Sequence, residues 1–82
     1  MKRPETIRLS LLPPGAAGTV VSVTAREGMQ QRFSALGLIE GAPVACLGES
    51  PFGDPRAYRI CGAVIAIRNA DAAGVLLRRA EP

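Results

Sequence analysis

Residues 51–68 read PFGDPRAYRICGAVIAIR, and the fold turns on them. Pro51, Gly53, Asp54 and Pro55 make a dense turn signal. Proline presets φ, glycine supplies a positive φ, and aspartate bonds its local backbone. From Arg56 the chain alternates: Tyr58 and Ile60 fall on one face, Arg59 and Cys61 on the other. That is the period of a half-buried strand. Gly62 interrupts the run, and Ala63–Arg68 resumes it with Ile65 and Ile67 on one face and Val64 and Ala66 on the other. The connections are too short for a crossover helix, so the strands they join run antiparallel.

Upstream, Glu40-Gly41 is a turn and a strand starts at Pro43. Val44 and Cys46 share its inner face, which sends Leu47 outward. Cys46 then faces in and Cys61 faces out, so the two thiols do not bridge; a one-residue slip would reverse this. The segment MQQRFSALGL reads as a helix, with Met29, Phe33 and Leu36 at i, i+4 and i+7. Gln30, Gln31, Arg32 and Ser34 lie off that stripe, and Gly37 is placed to end the helix in a left-handed conformation. Thr19–Ala25 (TVVSVTA) is a β-branched strand, with Val21 and Val23 facing one way and Val20 and Ser22 the other. Ile7–Leu12 is an apolar lead-in stopped by Pro13-Pro14-Gly15. Gly15 and Gly18 read as turn glycines, since no G-K-[ST] follows them.

Downstream, NADAAG is a single helical turn with Asn69 as N-cap and Gly74 at its end. VLLRR is the last strand, Val75 and Leu77 inward, and Ala80–Pro82 is a frayed tail. The chain is therefore one domain over residues 1–82 with a structured core over about 7–78. It is mainly β: a small antiparallel barrel of about five strands, one short helix after the first long strand, and a helical turn before the last. Closure is how so small a sheet hides its edges.

Composition narrows the chemistry. Of 82 residues 48% are hydrophobic but only 4% aromatic, with no Trp, so Val, Ile, Leu and Ala must build the core. The net charge of +3 comes from scattered basic residues; only Lys2-Arg3 and Arg78-Arg79 are paired. Nucleic-acid binding, which clusters basic residues and stacks bases on aromatics, is not expected. There is no histidine, which removes the commonest metal ligand and general base. The carboxylates Glu5, Glu27, Glu40, Glu49, Asp54, Asp71 and Glu81 form no D-x-D or E-x-x-H spacing, and the cysteines no C-x-x-C. No catalytic or cofactor-binding residue emerges, and the chain reads as a non-enzyme. No secretory leader and no run of roughly 20 apolar residues is present, so a cytoplasmic location is expected.

Taken together, Leu9-x-x-Leu12-Pro13-x-Gly15, Gly18-x-x-Val21, Arg32-Phe33-x-x-Leu36-Gly37-Leu38-x-x-Gly41, Pro51-x-Gly53-Asp54-Pro55, Gly62 and Ile65-Ala66-Ile67-Arg68-x-x-x-Ala72 resemble the ferrous iron transport protein A (FeoA) family. Phe33, Ile65 and Ile67 stand where leucine is usual in that pattern. The resemblance implies an SH3-like barrel and a cytoplasmic accessory role in bacterial ferrous iron uptake. The implied partner is the cytoplasmic domain of the GTP-binding permease FeoB, with membrane proximity coming only through it. The same module ends iron- and manganese-dependent repressors; no DNA-binding segment precedes it in these residues, which fits the transport version. Contact is expected through the Pro51–Pro55 turn and the polar helix face, at Gln30, Gln31, Arg32, Phe52, Asp54 and Arg56. No cofactor is required on this reading. The alternatives are a metal-responsive module, in which weak Fe²⁺ or Zn²⁺ binding at surface carboxylates and Cys61 drives self-association, and a small-barrel nucleic-acid binder.

Overall fold

The hairpin read from residues 56–67 is one end of a six-stranded antiparallel sheet in the computed structural model, which describes residues 6–80. The strands are β1 (Thr6–Arg8), β2 (Ala17–Val23), β3 (Pro43–Glu49), β4 (Arg56–Ile60), β5 (Ala63–Ile67) and β6 (Val75–Arg79). Helix α1 spans Glu27–Ala35, α2 spans Asn69–Ala72, and a 3-10 turn covers Leu9–Leu11. The spatial order is β1-β6-β2-β3-β4-β5. Glu5, Lys2-Arg3, and Glu81 and Pro82 of the expected tail lie outside the described residues.

The sixth strand is the apolar lead-in. Ile7 pairs with Leu77, flanked by Thr6 with Arg78 and Arg8 with Leu76. Three residues are too few to show a period, so the sequence alone yields five strands and the structure six. β2 also departs from simple alternation. Val20 is buried and Ser22 exposed, where alternation places them on one face. The register against β6 shifts between Val20 and Ser22, so one extra residue is accommodated and every side chain after it changes face.

β3 carries a second such shift, against β4 between Cys46 and Gly48. Up to that point in β3, and along β4, β5 and β6, alternation holds. Val44 and Cys46 from β3, Tyr58 and Ile60 from β4, Ile67 from β5 and Val75 and Leu77 from β6 are all buried. Leu47, Val64 and Cys61 are exposed. Both cysteines are free, one facing in and one out. From α1 the core receives Phe33, with Met29 packed at its edge; Leu36 is 41% exposed at the C-cap. Leu38 takes the third apolar place instead. Gly37 (φ +91°) reverses the chain, its N–H donating to the Ser34 carbonyl at 3.0 Å, while the Leu38 N–H donates to the Phe33 carbonyl at 2.8 Å. This is a Schellman ending, and its characteristic apolar contact across the turn is what buries Leu38.

No ladder joins the two outer strands, β1 and β5, among the described residues. Side chains curl the sheet instead. Arg56 projects inward from β4 and donates to the Ser10 carbonyl at 2.6 Å and to the Leu12 carbonyl. The Tyr58 hydroxyl, two residues along the same face, donates to the Leu9 carbonyl at 3.2 Å. These carbonyls belong to the 3-10 turn after β1 and its immediate exit, where helical bonding leaves acceptors over. β4 is thereby tied to the far end of the sheet, and the result is barrel-like without being a closed barrel.

Candidate interaction surface

The loop between β3 and β4 is built as a rigid projection. In Ser50-Pro51-Phe52-Gly53, proline stands second and glycine fourth, and the Gly53 N–H donates to the Ser50 carbonyl at 2.8 Å. That is the residue preference of a type I turn. The Ser50 N–H donates across the loop to the Pro55 carbonyl at 3.1 Å, and the Asp54–Pro55 peptide is cis.

A second element braces the loop. The Asn69 side-chain amide donates to the Gly53 carbonyl at 3.0 Å, and the Asn69 backbone N–H donates to the Asp54 carboxylate at 2.9 Å. Asn69 is thus not the N-cap of α2. Arg68 occupies the cap position with no side-chain bond, and Asp54 supplies from another loop the acceptor that a cap residue normally provides. Phe52 sits at the tip of this braced turn, 95% exposed. With the backbone of the turn held, Phe52 has only its two side-chain torsions left to order on docking, which suits it to be a binding anchor.

On α1, Gln31 and Arg32 are exposed, and Gln30, also exposed, donates to the Val23 carbonyl at 3.1 Å. The helix flanks an open groove of about 610 Å³ lined by Ser22, Val23, Glu27, Gln30, Gln31, Ser34, Leu38, Ile39 and Glu40. Ile39 is 50% exposed there. Of the lining contributed by residues 38–40, Leu38 belongs to the Leu36-Gly37-Leu38-x-x-Gly41 pattern, while Ile39 and Glu40 fall on its variable positions.

Of the six expected contact residues, Gln30, Gln31, Arg32, Phe52 and Asp54 are exposed, while Arg56 is not. Arg56 is 6% exposed and its terminal nitrogens are taken by carbonyls inside the protein, so it leaves the set. The remaining residues form two regions. The chain enters β3 at Pro43, after α1, and leaves it at Glu49 toward the turn. The seven residues of that strand span about 20 Å. Among the described residues no hydrogen bond or ion pair links α1 to the turn.

The same residues bear on metal binding. Among the described residues no three His, Cys, Asp or Glu side chains come together to hold an ion. Cys46 is buried, and the Cys61 thiol donates to the Gly37 carbonyl at 3.7 Å. Within one chain, the described carboxylates and thiols assemble no metal centre.

A FeoA domain model matches residues 7–79. The chain belongs to the FeoA family. An iron uptake regulatory protein, also a FeoA, shares 28% identity over 93% of this chain and 100% of its own, with a TM-score of 0.83. FeoA from Chlorobium tepidum shares 32% identity over 89% of this chain and 70% of its own, TM-score 0.85. FeoA from Stenotrophomonas maltophilia, solved with zinc and described as a prokaryotic SH3-domain protein suggested to activate ferrous iron transport, shares 27% identity over 87% of this chain and 88% of its own, TM-score 0.75. No curated protein matches. The SH3-like fold and the link to ferrous iron transport follow from the family.

Proposed function

We propose that this FeoA protein is a cytoplasmic accessory factor of bacterial ferrous iron uptake that works by contact with the GTP-binding cytoplasmic domain of the permease FeoB and catalyses no reaction itself. The observation that carries the role is the FeoA domain spanning residues 7–79. The observation that points to contact is Phe52, an exposed aromatic on a turn held by Asn69. The polar face of α1, with Gln31 and Arg32, is a second contact region, and Asp54 acts by holding the turn through its bond to Asn69.

Titration of the purified permease domain, with and without guanine nucleotide, tests this reading. Wild-type protein binds; Phe52→Ala and Arg32→Glu each weaken binding by at least about tenfold, the cost of losing one anchor. No binding in any nucleotide state overturns the assignment of the partner. Binding untouched by both variants overturns the surface. The zinc seen with the Stenotrophomonas maltophilia protein favours one other reading, assembly driven by metal. A mass that rises on adding Zn²⁺ or Fe²⁺ and falls with chelator would support that reading over this one.

A further inference from the structure

We propose that the free edge of β5 pairs with the same edge of a second copy of this chain, making a two-fold antiparallel dimer with one sheet running through both. Among the described residues β5 ends the sheet and is bonded only to β4. Cys61 and Gly62 both have positive φ, 50° and 79°, and form the two-residue loop joining Ile60 to Ala63. Such a loop makes Ile60 and Ala63 a bonded pair, and bonded and non-bonded pairs alternate from there. Ala63, Ile65 and Ile67 therefore bond to β4, while Val64 and Ala66 turn their N–H and C=O groups to the open side. Neither residue makes a backbone bond to any other described element.

The two edges of the sheet are treated differently by the sequence. β1 is three residues long and ends on Arg8. β5 is five residues, AVIAI, with no charge, proline, glycine or bulge, and Val64 is 62% exposed. Soluble proteins normally protect an edge with one of those devices, and β5 has none.

A second copy fits this edge in one register. Pairing Val64 with Ala66 of the second copy, and Ile65 with Ile65, places all the free groups in bonded pairs and leaves none over. On the outer face each row then reads Arg59, Val64, Ala66, Ala57, the last two from the second copy, because Arg59 lies beside Val64 and Ala57 beside Ala66 within one chain. Val64 stands directly beside the second copy's Ala66. The two Arg59 side chains stand three strand spacings apart, about 14 Å, beyond the roughly 8 Å over which salt screens charge. Arg68 falls opposite Gly62, and its own partner is Asp71 at 3.4 Å. No charge meets a like charge, and strand length and side-chain size match by construction.

The test is sedimentation of the full chain across about 10 μM to 1 mM, the range where weak pairing shows, with reductant present because Cys61 is exposed. The mass is expected to rise from 8.6 kDa toward twice that value. Ala66→Pro, which removes an N–H outside the β4 ladder and so is tolerated in an edge strand, and Val64→Lys both hold it at the monomer value with circular dichroism unchanged. Amide exchange at Val64 and Ala66 slows about tenfold or more at high concentration, while Ala63, Ile65 and Ile67 exchange alike in both states. A monomer throughout, a dimer that survives whichever of the two variants folds, or a dimer whose Val64 and Ala66 amides still exchange fast overturns the proposal. A monomer that instead captures a strand from the permease counts against self-pairing in the same way. No permease is needed for the measurement, so its outcome is separate from that of the functional reading.

Discussion

Arg56 is a cation placed where a small barrel would otherwise leave carbonyls dry. Its terminal nitrogens satisfy Ser10 and Leu12, and Glu49 lies 3.8 Å from its Nε, which has no hydrogen-bond partner among the described residues. Removing a buried donor leaves its acceptors unsatisfied at about 1–3 kcal/mol each, so Arg56→Ala is expected to cost about 3 kcal/mol or more in urea unfolding. Glu49→Gln, at the half-exposed end of the pair, costs under about 1 kcal/mol. The inward position of Arg56 is written in the sequence: the alternation that sends Tyr58 and Ile60 inside sends Arg56 with them. Its charge argues for the surface, and the charge argument loses because the 3-10 turn offers it partners that no local pattern announces. Tyr58 adds a pH dependence. Burial raises its phenol above the ordinary value of about 10, with the nearby Arg56 pulling the other way and losing. The folded state then keeps a proton that the unfolded state releases. This contribution to stability is full below about pH 10 and is lost as pH rises from there through the folded value, at up to about 1.4 kcal/mol per pH unit. Tyr58→Phe is expected to flatten that part of the alkaline limb while costing about 1 kcal/mol at neutral pH for the bond to Leu9. Unfolding of both proteins from about pH 8 to 11 measures the difference.

Two turns, at the end of α1 and between β4 and β5, meet through Gly37 and Cys61. A Cβ on Gly37 would run into the Cys61 side chain, and its φ of +91° already disfavours any other residue. Gly37→Ala therefore combines a backbone cost of about 1–2 kcal/mol with a clash. In a Cys61→Ala background the clash with sulfur is gone, and the same substitution costs less. A double-mutant cycle by thermal unfolding is expected to show coupling of about 0.5–1 kcal/mol, and strict additivity would mean the two turns do not touch. Elements of this kind were legible in proportion to their repeats. β4 and β5 show full alternation and β3 shows it as far as Cys46, so the opposite facing of Cys46 and Cys61 could be read from the sequence. α1 shows its stripe and its terminal glycine, though not that Leu38 replaces Leu36 in the core, because that exchange depends on the Schellman reversal. β1 and the bulges in β2 and β3 carry no period at all. The bracing of the turn by Asn69 joins residues 15 and 16 apart in sequence, and an asparagine before a helical turn reads first as a local cap.

Across the molecule, residues that hold the fold and residues that face outward are separate sets, and this makes the functional reading measurable. The core is a continuous cluster from Leu9 to Leu77, tied shut by Arg56 and Tyr58. Phe52 belongs to none of it. A side chain that is 95% exposed gains almost nothing from folding, so Phe52→Ala is expected to leave the unfolding midpoint within about 0.5 kcal/mol of wild type. If the turn docks on the permease domain, the same variant weakens binding by about tenfold or more, since an aromatic anchor contributes about 2 kcal/mol or more where it is buried by a partner. Asn69→Ala separates positioning from contact. It removes the amide bond to Gly53 but leaves Phe52 in place, so it loosens the turn and lets the anchor sample other orientations. Its expected signature is a modest loss of stability, about 1 kcal/mol, with binding weakened less than by Phe52→Ala. The double variant should bind no worse than Phe52→Ala alone, because positioning an absent side chain is worth nothing. Independent, additive losses in calorimetric titrations of the three variants would show that Asn69 touches the partner itself.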